Sequence, residues 1–254
     1  MTLFRNVVFI AAIAGLVAGV VLACMQAYAT VPLILKAEVY EQAGGGQTHD
    51  HGLAPAAAGS NAMSSAVPAE AATAEEEGWA PADGFERFAF NVVANVVTGI
   101  GFALILVAAS EFAGGIGKWR QGMFWGLAGF AVFTLAPNLG LPPELPAMPP
   151  ADLAQRQIWW TATVVATAAG LGLLAFRKSL PLAILAVALI VAPHIVGAPQ
   201  PDSFESPIPE GLHHQFVVAV TLTNLVFWLV LGAVVGLVRG RLTGTATGLR
   251  DSLA

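Results

Sequence analysis

Six apolar stretches follow one another along the chain, separated by polar, proline-rich or basic breaks. They cover residues 7–35, 88–110, 121–136, 158–176, 180–196 and 215–238, the third being the shortest. A hydrocarbon layer of ~30 Å takes ~20 residues of helix to cross. None of the stretches shows the strict alternation of a barrel strand, and lipid admits only helices or closed barrels. The pattern predicts an all-α integral membrane protein. It forms a single membrane domain over residues 1–254, built as a bundle of six transmembrane helices.

Composition agrees. The 254 residues are 56% hydrophobic and 11% charged, well under the roughly 25% charge of soluble domains. A formal charge of −5 argues against a nucleic-acid partner. The single cysteine, Cys24, permits no internal disulfide. "AYA" at 27–29 has the form of a cleavage site, and cleavage after Ala29 would leave five spans. The apolar stretch before it exceeds the usual 7–15-residue signal core, which favours an uncleaved helix.

Lys and Arg collect in cytoplasmic loops. With the N-terminus inside, that face carries Arg5, Lys118, Arg120, Arg177, Lys178, Arg239, Arg241 and Arg250. The outer face keeps only Lys36, Arg87 and Arg156. Both termini are then cytoplasmic. All five histidines and most carboxylates fall outside, a face that attracts cations.

The loops differ in kind. Residues 38–83, including "AGGGQTHDHG", are poor in large apolar side chains and read as a long disordered outer loop with a short helix around 69–77. Its His49 and His51 flank Asp50, either a weak divalent-metal tract or a polar linker. Residues 137–157 form a proline-rich outer loop and 197–211 one rich in proline and acids. Proline stiffens both, making them either a lid or vestibule or plain connectors.

Two constellations carry candidate chemistry. His194 ends the fifth stretch, and His213 and His214 open the sixth. If a short loop makes these helices neighbours, three imidazoles with Glu210 suit a first-row transition ion. The bland alternative has the imidazoles facing headgroups or bonding a carbonyl. The second constellation is polar residues within or beside the spans. Asn91, Asn95 and Thr98 share one helix face, and Asn138 and Asn224 add amides. They either join helices or line an ion path. No Asp or Glu lies in the middle of a span, which argues against a carboxylate proton relay.

Gly15/Gly19, Gly122/Gly126 and Gly232/Gly236/Gly240 have GxxxG spacing, for packing within the chain or for a homo-oligomer contact. "GGIGKW" at 114–119 superficially suggests a phosphate loop. Phe112 replaces its first glycine and Trp119 its Ser/Thr, so no ATPase motif is present. No nucleophile–base pair appears either, and the chain does not read as an enzyme.

"GWAPADGFERFAFNVVANVVTGIGFAL", "APNLGLPPELP", "ADLAQRQIWWTATVVATAAGLGLL", "APHIVGAPQP" and "NLVFWLVLGAVVGL" resemble the bacterial family of probable cobalt transporter subunits known as CbtA. The resemblance implies a permease subunit that takes up Co²⁺ as transported ion, for cobalamin synthesis, with no resident cofactor. It also implies that the partner is a small histidine-rich membrane subunit. The family's histidine-rich first outer loop is reduced here to His49 and His51. The runner-up function is a non-transporting metal-sensing or scaffolding subunit.

Overall fold

The computed structural model describes residues 2–44, 81–82 and 84–251. Helix α1 (Thr2–Ala29) ends where Pro32 lacks the N–H that would bond the Tyr28 carbonyl. The chain bends at Thr30 and resumes as α2 (Val31–Gly44). One stretch expected over 7–35 is thus two helices, and the second runs into what read as loop. The rest of 38–83, with His49, His51 and the short helix expected at 69–77, lies outside the described residues apart from 81 and 82.

Helix α3 spans Phe85–Glu111. Helix α4 (Trp119–Phe130) continues through a π-helical turn (Ala131–Leu135) into the short α5 (Ala136–Asn138). Helix α6 (Leu153–Phe176) is N-capped by Asp152, whose carboxylate accepts from the Gln155 N–H at 2.9 Å. Helix α7 is Leu180–Val196 and α8 is Glu210–Asp251. No strand occurs among the described residues. Four helices, α1, α3, α6 and α8, are long and apolar enough to cross a membrane. Helix α7 is apolar but has 17 residues, and α4 is interrupted by the π turn.

Helices α1, α3, α4 and α8 form the main body, with Ile10, Ala14, Ala18, Val107, Leu231 and Val235 in its core. Glycine sets the helix spacing. A Cβ on Gly122 would lie 1.9 Å from the Gly232 carbonyl oxygen, so α4 and α8 touch backbone to backbone. Gly15 and Gly19 meet Ile100 and Val96 of α3 in the same way. These GxxxG faces are therefore covered within the chain, the first of the two uses expected for them.

Chain reversals put Lys118, Arg120, Arg177, Lys178 and Arg239 at one end of the bundle, the basic end. There the Arg239 guanidinium grips both Glu111 oxygens, one bond measuring 3.1 Å. It lies against Gly115, whose φ of 82° suits glycine. "GGIGKW" thus forms a turn with Ile116 buried, as its failure as a phosphate loop required.

The opposite end has a layer of its own. Leu145 and Met148 of the proline-rich loop and Ile208 of the next loop pack on Leu33 and Ala37 of α2 and on Phe216 of α8. Side chains of both stiff loops form a cap over the bundle. Within the cap, the Met148 N–H closes a turn on the Leu145 carbonyl at 3.2 Å. Ala147 sits in that turn at a φ of 66°.

Candidate functional site

Beneath the cap a cavity of about 530 Å³ opens between α1, α2, α3 and α8. Gln26, Thr30, Arg87, Asn91, Thr223 and Asn224 give it its polar lining. Each comes from local helix geometry. Gln26 is one turn from the end of α1, on the side that packs against α3. Asn91 and Asn95 are one turn apart on α3. The Gln26 carbonyl oxygen accepts from Asn91 Nδ2 at 3.1 Å and from Asn95 Nδ2 at 2.7 Å. Asn95 Nδ2 also donates to Asn91 Oδ1 at 3.1 Å. Three amides thus meet at the α1–α3 seam. Asn224 reaches the same cavity from α8, with its Nδ2 donating to the Val220 carbonyl.

Polar bonds between membrane helices average only about 0.6 kcal/mol. The two that cross from α3 to α1 contribute modestly to folding, and the polar surface they present is the more consequential feature. Arg87 stands at the cavity's edge, paired with Glu38 of α2 at 3.1 Å. Across the cap Arg156 pairs with Glu144 at 3.1 Å. Two of the three cations at this end are matched by carboxylates, leaving it net acidic among the described residues.

The histidines are not brought together. Helix α7 packs along α6 and makes no comparable contact with α8. Pro199, Pro201, Pro207 and Pro209 hold the intervening chain extended, which corrects the expectation that helices five and six are neighbours. His194 stacks edge-on against Trp159 at 5.9 Å, and Trp159 Nε1 donates to the Pro193 carbonyl at 3.1 Å. His213 Nε2 lies 3.1 Å from the Pro143 carbonyl. A carbonyl only accepts, so Nε2 carries the proton and the Nδ1 lone pair of a neutral ring stays open. His214 and Glu210 are exposed. Among the described residues, no group of three or more His, Cys, Asp or Glu side chains is placed to hold a metal ion.

Of the remaining path candidates, Asn91, Asn95 and Asn224 converge on the cavity region. Thr98 is exposed on α3, and Asn138 ends α5 without lining the cavity. Cys24 is exposed as well. The sequence reading underrated Gln26, whose signal was an amide in an otherwise apolar stretch, a costly placement. It also missed the Glu38–Arg87 pair, which bridges 49 positions and leaves no local trace.

His213 has a position the sequence did not reveal. It lies on one stripe of α8 with Phe216, Val220, Thr223 and Asn224, all four of which line the cavity. It precedes Phe216 by one turn and is not itself part of the cavity lining.

No curated protein and no solved structure shows significant similarity to the chain. A family match covers residues 4–239, from the start of α1 to the basic end of α8, under the description "Probable cobalt transporter subunit". With that match over nearly the whole chain, and with helices suited to crossing a membrane several times, the protein belongs to the probable cobalt transporter subunit (CbtA) family.

Proposed function

We propose that the chain is the membrane permease subunit of a Co²⁺ uptake system in a bacterial inner membrane, supplying cobalamin synthesis. Six helical segments cross the membrane, with α4, its π turn and α5 acting together as one and α7 as another. Both termini are cytoplasmic and the cap faces out. A small histidine-rich membrane subunit delivers or holds the ion. The membrane potential supplies the drive. A doubly charged ion gains about 4.6 kcal/mol per 100 mV, enough for accumulation on the order of a thousandfold.

The observation that carries this reading is the amide-lined cavity under an acidic cap. Amide oxygens of Asn91 and Asn224 offer a partly dehydrated cation neutral ligands without trapping it, and the Gln26 side-chain oxygen holds the Asn91 and Asn95 amides in place. His213, one turn before Phe216, is the entry ligand. His194, held among α6 and α7 side chains, is no part of this path. His214 and Glu210 contribute to the field that draws cations inward, and His49 and His51 gather metal only weakly.

The test is radiolabelled cobalt uptake in cells lacking their own importers, with the chain expressed alone and with the small subunit. Gln26→Leu removes the acceptor that holds Asn91 and Asn95, about 1–1.5 kcal/mol, and is expected to slow uptake roughly tenfold at equal protein level. His194→Ala leaves uptake unchanged. His213→Ala weakens it. Cobalt that binds to vesicles but never enters them would favour a sensing or scaffolding subunit.

A further inference from the structure

A second, larger cavity of about 630 Å³ opens near the basic end, and the amide path does not use it. It is walled by α3 from Phe102 to Ala109 with Phe112 and Ala113 just beyond its end, by α4 and its π turn, and by the last turns of α6 from Ala168 to Phe176. Helices α3 and α6 do not pack against each other, so the cavity is a cleft open to the side. Its lining side chains are all apolar. At its inner limit Phe102, Phe133 and Trp228 close it, Phe133 stacking on Trp228 at 5.6 Å. Above that floor α6 leans onto the π turn, with Trp160 near Phe133.

Depth decides what fits. Ten residues of α3, from Phe102 to Glu111, span roughly 15 Å at 1.5 Å each. That is about half of a ~30 Å hydrocarbon layer, too shallow for a spanning helix and suited to the acyl chain of one leaflet. Charge decides the headgroup. Phe176, which lines the mouth, is followed directly by Arg177 and Lys178, and Lys118 and Arg120 open the neighbouring α4. All four are exposed, and Trp119 between the latter two is half exposed, as an interfacial residue is. The nearest acid, Glu111, is occupied by Arg239.

We infer that this cleft binds one anionic phospholipid, an acyl chain between α3 and α6 and the phosphate among Lys118, Arg120, Arg177 and Lys178. The inference rests on the membrane-spanning reading of these helices and is independent of cobalt transport.

The experiment is native mass spectrometry of the full-length protein from mixed phosphatidylglycerol–phosphatidylethanolamine nanodiscs. Gly172→Phe fills the cleft from a position where an added Cβ meets nothing within 4 Å, so the variant is expected to fold. Wild type should retain one phosphatidylglycerol in preference to phosphatidylethanolamine, and Gly172→Phe should lose it. Arg177→Gln with Lys178→Gln should lower the preference roughly fivefold per charge removed while leaving the cleft intact. Equal lipid retention by wild type and Gly172→Phe would overturn the site. So would indifference to the headgroup, or a peptide helix retained in the lipid's place. Cobalt uptake plays no part in the readout, so failure of the transport proposal would leave this result unaffected.

Discussion

Ala147 is the residue most at odds with its backbone. It holds a φ of 66° in the cap turn between Pro146 and Met148. An L-residue there loses roughly 1–2 kcal/mol, and glycine would return part of it against about 0.4–1 kcal/mol of added chain entropy. Ala147→Gly is therefore expected to raise the melting temperature of the detergent-solubilised protein by a few degrees at most. A fall would mean that the turn is held in place by contacts other than its backbone. Position also separates the histidines. Residue type marked His194, His213 and His214 alike as candidate ligands, and only the packing of their helices tells them apart. His194 belongs to α7, which docks on α6, and His213 belongs to the cavity stripe of α8. Gln26 had the reverse history, unremarkable by type and central by position.

Among the elements, the α4–α8 contact sets the tightest limit. A side chain on Gly122 or Gly232 would occupy space held by the opposing carbonyl. Gly122→Leu should lower the yield of folded protein severely, with a loss beyond the roughly 1–3 kcal/mol usual for overpacking. Gly101→Leu on exposed α3, where nothing lies within 4 Å, should leave it unchanged. Gel-filtration profiles in detergent separate the two outcomes. Hydropathy located α3, α6 and α7 to within a few residues because long apolar runs carry their own boundary signal. It could not show the bend at Thr30, since a proline two residues later can kink a helix or begin a new one. Nor could it find the π turn, which follows from packing against α6 and α8 and has no composition of its own. The cap was half visible. Proline content gave its stiffness, but its seat on Leu33 and Phe216 depends on contacts far apart in sequence.

For the whole molecule, the division between a basic end and a histidine-bearing end is the property that gives the protein direction. If the basic end is cytoplasmic, a reporter thiol should respect that. In a Cys24→Ala background, Ser203→Cys should react with an impermeant maleimide in intact cells, and Lys178→Cys only after the membrane is opened. The opposite pattern would invert the proposed topology and, with it, the direction of uptake. Charge asymmetry along the sequence anticipated this division before any helix was placed. What it could not supply was the pairing of Arg87 with Glu38 and of Arg156 with Glu144, which leaves the histidine end acidic.

The break at Thr30 has a mechanical meaning. On one side of it α1 is fastened deep in the main core. On the other, α2 is fastened by the smaller cluster around Leu33 and Ala37 and by the Glu38–Arg87 pair. The two leaves of this hinge are unequally secured, and the amide cavity lies in the angle between them. Whatever loosens the cap therefore acts first on the short leaf, and the longer one carries the body of the bundle.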